Sequence, residues 1–290
     1  MTQHDILRRF IFEDIGIRGL WVNLATSWRT AKQHQHCPDN VQDQLGQALT
    51  AVVLLSATIK FNGSIILQAQ GDGPLKTLVA QATHDQKIRG LIRSGDVANT
   101  RSLQEMFGEG RLVITIYADN APPYQGIVAL QGANLAAALE TYFAQSEQLN
   151  TRLWLFADAD RATGLLLQEM PSQLNDKEDW ERLEMLASTL TEQELLTLDC
   201  ETILYRLFNG ENLRLFDAEP VVFDCSCSRT KIESALRQLG REELQGILEE
   251  RSHIEVTCEF CNQLYRFDQV DVEQLLLNDT NILIDSPTKH

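Results

Sequence analysis

The sequence has no long apolar run, and this absence argues against a membrane protein. Its most apolar stretch, residues 51–59, is far shorter than the roughly 20 residues that a helix needs to cross a bilayer. The first residues mix charged and apolar side chains, without the apolar segment and small-residue cleavage site of a secretory signal. We therefore expect a soluble, cytoplasmic protein without a membrane partner.

Clusters of basic residues are also absent. The chain has 25 basic and 41 acidic residues, a net charge of −16, and no run of Lys and Arg that would form a local basic patch. A surface of this charge repels a phosphate backbone. We therefore expect no nucleic-acid partner.

Recognisable enzyme motifs are missing as well. No Ser-His-Asp set or carboxylate pair stands out among the dispersed acidic residues. The segment Gly71-Asp72-Gly73-Pro74 lacks the longer glycine spacing and the Gly-Lys-Ser/Thr ending of a phosphate-binding loop. It predicts a tight turn instead, and we do not expect an enzyme.

The 290-residue chain otherwise has an ordinary globular balance, 43% hydrophobic and 23% charged. Strand and helix patterns in residues 1–173 predict one α/β domain. The predicted elements are a helix over Asp39–Thr58 capped by Asp39 or Asn40, a strand over 65–70, a hairpin of 112–117 with 125–130, a helix over 134–145 capped by Asn134, and a hairpin of 153–157 with 165–170 that Pro171 ends.

Residues 174–224 differ in composition from the rest of the chain. They hold 13 acidic and 4 basic residues, so more than half of the net charge falls here. Apolar side chains still recur at helical spacing, from Trp180 to Leu190 and from Leu195 to Leu207. The segment predicts amphipathic helices that lie against another surface and that self-repulsion makes easy to release. An ordinary packed helix pair with an acidic outer face fits the pattern equally well.

Residues 225–290 predict a small C-terminal unit of short helices and strands. The predicted elements are a helix over 230–239 with a Thr230-x-x-Glu233 capping box and Gly240 as its end, strands over Ile254–Thr257 and 263–267, and a helix over 271–278.

Four of the six cysteines form two tight pairs, Cys225-x-Cys227 and Cys258-x-x-Cys261. In a chain without a secretory signal, paired cysteines indicate metal binding or redox chemistry rather than structural disulfides. A C-x-x-C pair at a hairpin tip and a C-x-C pair on an extended strand each direct both sulfurs to one side. All four thiolates can then bind one zinc ion, which leaves no open position for catalysis. A purely structural zinc site remains an alternative.

Other metal or thiol candidates have less support. His34-x-His36-Cys37 indicates a polar loop, and Cys200 is a lone thiol of the kind that usually serves packing. His253 is close enough in sequence to replace a ligand, but four cysteines already complete a zinc shell.

Zinc would stabilise the C-terminal unit decisively. A structural zinc contributes about 10–16 kcal/mol in finger peptides, whereas a whole domain is stable by only about 5–15 kcal/mol. A unit this small has a thin core, so we expect loss of the metal to unfold it. Oxidation would remove the metal, because a disulfide sulfur is no longer a thiolate ligand, and a strained C-x-C disulfide is readily reduced again. The site therefore has the properties of a reversible switch.

The two cysteine pairs and their neighbours, Cys225-Ser-Cys227-Ser-Arg229 and Cys258-Glu-Phe-Cys261, resemble the zinc centre of the 33 kDa heat-shock chaperone family of redox-regulated holdases. Further stretches resemble the same family across nearly the whole chain: 58–63, 68–74, 124–126, 142–152 and 194–196. The sequence departs from the family at Asn262, where Gly usually follows the last cysteine. Asn also adopts a left-handed backbone, so we expect the turn to form.

The resemblance implies an α+β fold in three parts. These are an N-terminal α/β substrate-binding domain with curved, mainly antiparallel sheets (1–173), a metastable acidic helical linker (174–224) and a C-terminal zinc redox-switch domain (225–290). It also implies one Zn²⁺ per reduced chain, bound by Cys225, Cys227, Cys258 and Cys261.

The same resemblance implies a mode of activation. Peroxide or hypochlorite, together with unfolding stress, forms the disulfides Cys225–Cys227 and Cys258–Cys261. Zinc leaves and the linker unfolds. The oxidised protein, as a homodimer, then holds unfolding client proteins without ATP.

Two functions of other classes stay open. A thiol–disulfide oxidoreductase would use Cys258-x-x-Cys261, although the βαβ context of thioredoxin-like proteins is missing. A zinc-stabilised adaptor for another protein would lose its function when zinc leaves, whereas a switch of the kind above would gain one.

Overall fold

The computed structural model describes residues 5–13, 15–59, 61–96, 100, 102–119, 121–170 and 177–282. The chain divides into two compact units, Met1–Asp224 and Cys225–His290. Pro171, the predicted end of the second hairpin, lies outside the described residues. Across the described ranges, no helix combines the length and apolar character that crossing a membrane requires.

The first unit consists of two sheets with helices between and beside them. Its strands are β1 (Ile6–Phe12), β2 (Ile17–Leu24), β3 (Gly63–Gly71), β4 (Leu75–Thr83), β5 (Lys87–Ser94), β6 (Gly110–Ala118), β7 (Tyr124–Ala129), β8 (Thr151–Ala157), β9 (Ala162–Glu169), β10 (Leu213–Leu215), β11 (Glu219–Pro220) and β12 (Val222–Phe223). Its helices are α1 (Thr26–Gln33), α2 (Asp39–Thr58), α3 (Leu103–Phe107), α4 (Leu135–Tyr142), a π-helical turn (Phe143–Glu147), α5 (Lys177–Ser188), α6 (Glu192–Thr197) and α7 (Cys200–Phe208).

The two sheets are mainly antiparallel, as expected. Sheet A has the strand order β10-β1-β2-β9-β8, with β11 also paired to β1, and sheet B has the order β12-β5-β4-β3-β6-β7. The short pair β12–β5 is parallel. The predicted hairpins are present as β6–β7 and β8–β9.

Helix α2 forms the layer between the sheets. It packs against β4 and β5 of sheet B and against β2, β8 and β9 of sheet A. The helix lies close to both sheets. A Cβ atom added to Gly90 of sheet B would come 2.7 Å from Leu45 of the helix, and one added to Gly164 of sheet A would come 2.5 Å from Thr50. The helix has the predicted bounds, but its N-cap is Pro38, without a side-chain hydrogen bond, rather than Asp39 or Asn40.

Helix α4 begins as predicted and ends differently. Asn134 Oδ1 accepts a hydrogen bond from Ala137 N at 3.0 Å, which confirms the predicted cap. The α-helix ends at Tyr142, and the chain continues as the π-helical turn, closed by Gln148 in a left-handed conformation. Such π-turns are frequent at functional sites.

The turn at Gly71 to Pro74 is structural, as predicted. Gly73 N donates to Phe107 O at 2.8 Å, and Asp72 Oδ1 accepts from Glu109 N at 2.8 Å. These bonds join the β3–β4 connection to the start of β6.

Helices α5 to α7 cover the outer face of sheet A. Their apolar residues form a core with sheet residues such as Phe10, Phe12 and Trp21. The helical prediction for residues 174–224 is therefore correct as far as Phe208. Beyond it the chain is extended and supplies β10, β11 and β12. Leu213 and Leu215 alternate with exposed Arg214, a period of two that the helical interpretation overlooked.

The second unit contains α8 (Arg229–Arg237), α9 (Arg241–Arg251), the hairpin β13 (Ile254–Thr257) and β14 (Leu264–Phe267), and α10 (Gln269–Ile282). The predicted capping box is wrong. Ser228 caps α8 by accepting from Lys231 N at 3.3 Å, and Glu233 pairs with Arg229 instead. Gly240, with φ of 83°, is the N-cap of α9 as well as the break after α8.

Candidate metal centre

The four predicted cysteines lie together in the second unit. Cys225 and Cys227 precede Ser228, the N-cap of α8, and Cys258 and Cys261 lie in the turn between β13 and β14. Their sulfur atoms all lie within 4.8 Å of one another. Among the His, Cys, Asp and Glu side chains of the described ranges, these four cysteines form the cluster that could hold a metal ion.

The sulfur geometry fits a tetrahedral thiolate site. The Cys225 and Cys258 sulfurs are 3.7 Å apart, and the Cys227 and Cys261 sulfurs are 3.4 Å apart. Sulfurs bound at about 2.3 Å to one zinc ion would be separated by about 3.8 Å. Four soft ligands at this spacing suit zinc, and their full set leaves no position for a reacting water.

The β13–β14 turn has the geometry of a zinc knuckle. Asn262 N donates to Cys258 O at 2.8 Å, and Cys258 N donates to Gln263 O at 3.0 Å. Asn262 has φ of 54°, the left-handed conformation expected from the sequence at this position. The substitution therefore keeps the turn.

Tyr265 is a neighbour of the cysteines that the sequence did not single out. Its hydroxyl donates to Cys227 Sγ at 3.2 Å. Position 265 faces the cysteines because β14 pairs with β13 in a register that sets Tyr265 opposite Val256. A hydrogen bond to a ligand sulfur orients the ligand and stabilises its thiolate form.

The thiols differ in acidity. Burial opposes ionisation of Cys227, but hydrogen bonds from Tyr265 and the neighbouring thiols outweigh it and lower the pKa of Cys227 to about 7. Burial raises the pKa of both Cys225 and Cys261. Donation to Cys227 in turn raises the pKa of Tyr265 to about 12. Of these three thiols, Cys227 is the one whose pKa is shifted toward the thiolate, the form that binds metal and reacts with oxidants.

Arg229 connects the cysteine segment to the rest of the second unit. Its guanidinium lies 4.3 Å from the Phe267 ring centroid and pairs with Asp271 at 2.7 Å and with Glu233 at 3.3 Å. Nη1 also donates to Arg266 O at 2.9 Å. One side chain therefore joins α8, β14 and α10 directly after the first cysteine pair.

The other candidates lie elsewhere. His253 pairs with Glu255 at 3.2 Å and is not a member of the cysteine group. Cys200 is buried in α7, where burial raises its pKa to about 12. Cys37 is half-buried, with its pKa raised to about 11 for the same reason. The loop before it is anchored rather than fully solvated, because buried Gln35 accepts from Ile92 N at 2.9 Å.

Comparison with known proteins places these features in one family. The model of the Hsp33 protein family matches residues 5–268. The chain is 56% identical to the 33 kDa chaperonin of Nitrosococcus oceani, over 100% of both chains. It is 45% identical to the 33 kDa chaperonin of Shewanella frigidimarina, over 94% of this chain and 96% of the relative.

A solved structure has the same fold. The crystal structure of the 33 kDa chaperonin from Thermotoga maritima superposes with a TM-score of 0.83 at 24% identity, over 96% of this chain and 100% of that one. The likeness shows a shared fold, and the family match with the identities above shows that the chain belongs to the Hsp33 family.

Proposed function

We propose that this protein is a redox-regulated, ATP-independent chaperone that holds unfolding client proteins. The observation that carries the proposal is the group of four cysteine sulfurs within 4.8 Å of one another, in a unit whose own core is small. The buried apolar residues of that core are Leu236, Leu244, Ile254, Phe267, Val272, Leu275 and Leu276.

A zinc ion on Cys225, Cys227, Cys258 and Cys261 would supply most of the stability of this unit. Finger-type zinc sites contribute about 10–16 kcal/mol, and burying an aliphatic or aromatic side chain contributes about 1.5–3 kcal/mol before chain entropy is subtracted. The few buried side chains therefore do not hold the unit folded alone. Oxidation to the disulfides Cys225–Cys227 and Cys258–Cys261 takes two electrons per bond, converts all four ligands and releases the metal.

The surface for clients is the outer face of sheet A. Helices α5 to α7 bury there a group of aromatic residues that includes Phe10, Phe12 and Trp21. Phe208 of α7 packs edge-on against Phe12, with ring centroids 5.1 Å apart. Withdrawal of these helices would uncover a contiguous apolar surface, the kind of surface that binds other apolar chains.

The covering helices are held marginally by their charges. Arg182 pairs with Asp179 and Glu211, and Arg206 pairs with Glu194, but these pairs are exposed and each contributes at most about 1 kcal/mol. The surplus of acidic residues in 174–224 remains. Repulsion among these acidic residues favours release of the helices once the second unit no longer restrains the chain. The chain enters that unit at Cys225, two residues after β12.

The oxidoreductase alternative has less support. Thioredoxin-like enzymes activate a C-x-x-C pair at the start of a helix, where the helix dipole lowers the thiol pKa. Cys258 and Cys261 lie in a hairpin turn, and the thiol with the lowered pKa is Cys227. We place the chaperone in the cytoplasm and expect a homodimer in the oxidised form, as the family resemblance implies.

The deciding experiment follows zinc, thiols and activity together. Peroxide treatment at a temperature that loosens the linker should release about one zinc and consume about four thiols per chain, as a tetrahedral thiolate site requires. Only the treated protein should suppress aggregation of a thermally unfolding client, without ATP. Equal suppression by the reduced zinc form would overturn the switch, and turnover in an insulin-reduction assay would support the oxidoreductase instead.

A further inference from the structure

A cavity of about 550 Å³ lies in the first unit, beside the C-terminal end of α2 and between the two sheets. This volume falls within the range of about 300–1,000 Å³ that is usual for small-molecule sites. Arg18 and Gln168 line it from sheet A, and Ile65 and Ile114 line it from sheet B. The switch described above involves none of these residues. We call this space the α2 cavity.

The body of the α2 cavity is apolar. Leu55, Ile65, Ile114 and Phe143 contribute buried side chains to its wall, and Ile59 stands at its rim with 37% of its surface exposed. A wall of this kind receives the hydrocarbon part of a ligand.

One cation in the cavity lining, Arg18, forms no ion pair with any described residue. Arg18 Nε donates to Gln168 Oε1 at 3.1 Å, Nη2 donates to the same oxygen, and Nη1 donates to Thr58 O at 3.0 Å. These acceptors are neutral, and among the described residues no carboxylate lies within ion-pair distance of Arg18. Neighbouring Arg9, by contrast, is paired with Glu219.

Within the described part of the chain, the guanidinium has N–H groups left to bind an anion. Of its five N–H groups, the hydrogen bonds above use one on each nitrogen, which leaves one on each terminal nitrogen. Burial and the nearby charge of Arg9 both lower the pKa of Arg18. The bond to Thr58 O explains why an arginine stands at the negative end of α2. It does not explain why this cation lines a largely apolar cavity with only neutral acceptors bound to it.

The cavity lining also contains a carboxylate, that of Glu147. Glu147 Oε1 accepts from Tyr142 Oη at 2.8 Å and from Tyr124 Oη at 3.3 Å. All three residues belong to the cavity lining. A ligand with a second carboxylate would bring another negative charge into the cavity that Glu147 lines, and repulsion between the two would weaken its binding.

We propose that the α2 cavity binds a monocarboxylate with an extended apolar body, whose carboxylate accepts hydrogen bonds from Arg18. The hydrocarbon lies along the aliphatic wall, and Glu147 with its two tyrosines excludes dicarboxylates. Binding is reversible and non-covalent. It is independent of the proposed chaperone switch, since neither the four cysteines nor helices α5 to α7 contribute to the cavity lining.

Calorimetric titration of the reduced, full-length protein tests this site with three probes of equal chain length. Octanoate should bind with one site per chain. Octanol, which lacks the carboxylate, and octanedioate, which adds a second one, should bind at least about 10-fold more weakly, because a charge-assisted hydrogen bond accounts for a difference of this size. Octanol binding as tight as octanoate, or no octanoate binding at millimolar concentration, would overturn the proposal.

Variants locate the binding. R18Q should reduce octanoate affinity to that of octanol and leave octanol affinity unchanged. Two changes at exposed rim positions serve if R18Q is unstable: Ile59→Glu repels the carboxylate, and Ser146→Trp fills the cavity, so each should weaken octanoate at least about 10-fold. Ile127→Glu introduces the same charge at a side chain that is 55% exposed outside the cavity and should leave binding unchanged. Equal affinities for Ile59→Glu and the unaltered protein would place the ligand elsewhere and refute the assignment.

Discussion

The ring of Phe10 lies over Gly19 on the neighbouring strand. The two residues are directly opposite in the β1–β2 pair, and a Cβ atom at position 19 would come 2.0 Å from Phe10 Cζ. Gly19 therefore lets the ring lie close to sheet A. The same ring faces Phe12 and Phe208, at centroid distances of 5.9 and 6.4 Å. The height of the Phe10 ring above the sheet therefore determines how closely α7 can pack.

Substitution of Gly19 by Ala should loosen α5 to α7. The added methyl displaces the Phe10 ring outward into α7, and overpacking of this kind costs about 1–3 kcal/mol. We expect faster limited proteolysis within residues 177–208 and partial suppression of client aggregation without oxidant. Gly210→Ala is the matched control, because a Cβ atom there would have nothing within 4 Å. Unchanged proteolysis of Gly19→Ala would contradict this account.

Truncation of Phe208 should have a larger effect. Phe208 is buried, and its removal to Ala would leave a cavity under α7 and cost about 3–5 kcal/mol locally. Hydrogen exchange in α7 should accelerate by several orders of magnitude, while exchange in α2 stays slow. Tyr205→Ala on the same helix removes a side chain that is 75% exposed and should change neither. If both variants exchange alike, the packing of α7 on sheet A is not what protects it.

Cys200 should report release of the helices. Its side chain is 1% exposed and its pKa is raised to about 12, so it should resist maleimide in the reduced protein. Withdrawal of α7 would expose it and return its pKa toward the usual value. We expect peptide-resolved mass spectrometry to show rapid labelling of Cys200 only after peroxide treatment, with little change at Cys37. Slow labelling in the active form would mean that α7 stays in place.

Tyr265→Phe should weaken metal binding and preserve the fold. The substitution removes only the hydroxyl that donates to Cys227, and loss of such an outer contact typically costs about 10–100-fold in affinity. Competition with a coloured zinc chelator should show this loss, together with faster zinc release on oxidation. Leu264→Ala, an exposed neighbour on the same strand, serves as control. An affinity equal to that of the unaltered chain would remove Tyr265 from the metal site.

Structural features that depend only on the local sequence were predicted from local sequence patterns. The apolar period of α2 and the cap of α4 are examples, as is the left-handed Asn262. The spacing of the four cysteines predicted that their sulfurs converge, and the structure brings them within 4.8 Å of one another.

Features that depend on pairing between distant segments were not predictable in this way. Tyr265 reaches Cys227 only through the β13–β14 register, and the weakly amphipathic α9 is fixed by packing against β13 and α10. The α2 cavity forms where sheets A and B, built from widely separated segments, meet the end of one helix. Strand β1 combines Arg8 and Arg9 with apolar neighbours, so its place under α7 cannot be read from alternation alone.

Strands β10 and β11 hold the chain on β1 directly after α7, and strand β9 holds it before α5. The segment that carries α5 to α7 is thus a loop fastened to sheet A at both ends. A loop of this kind rebinds its own surface as an intramolecular reaction, at an effective concentration in the millimolar range. Under the proposed switch, a bound client would compete with this tethered segment, which never diffuses away. Reduction of the thiols and return of the metal would then let the chain displace its client without a second protein.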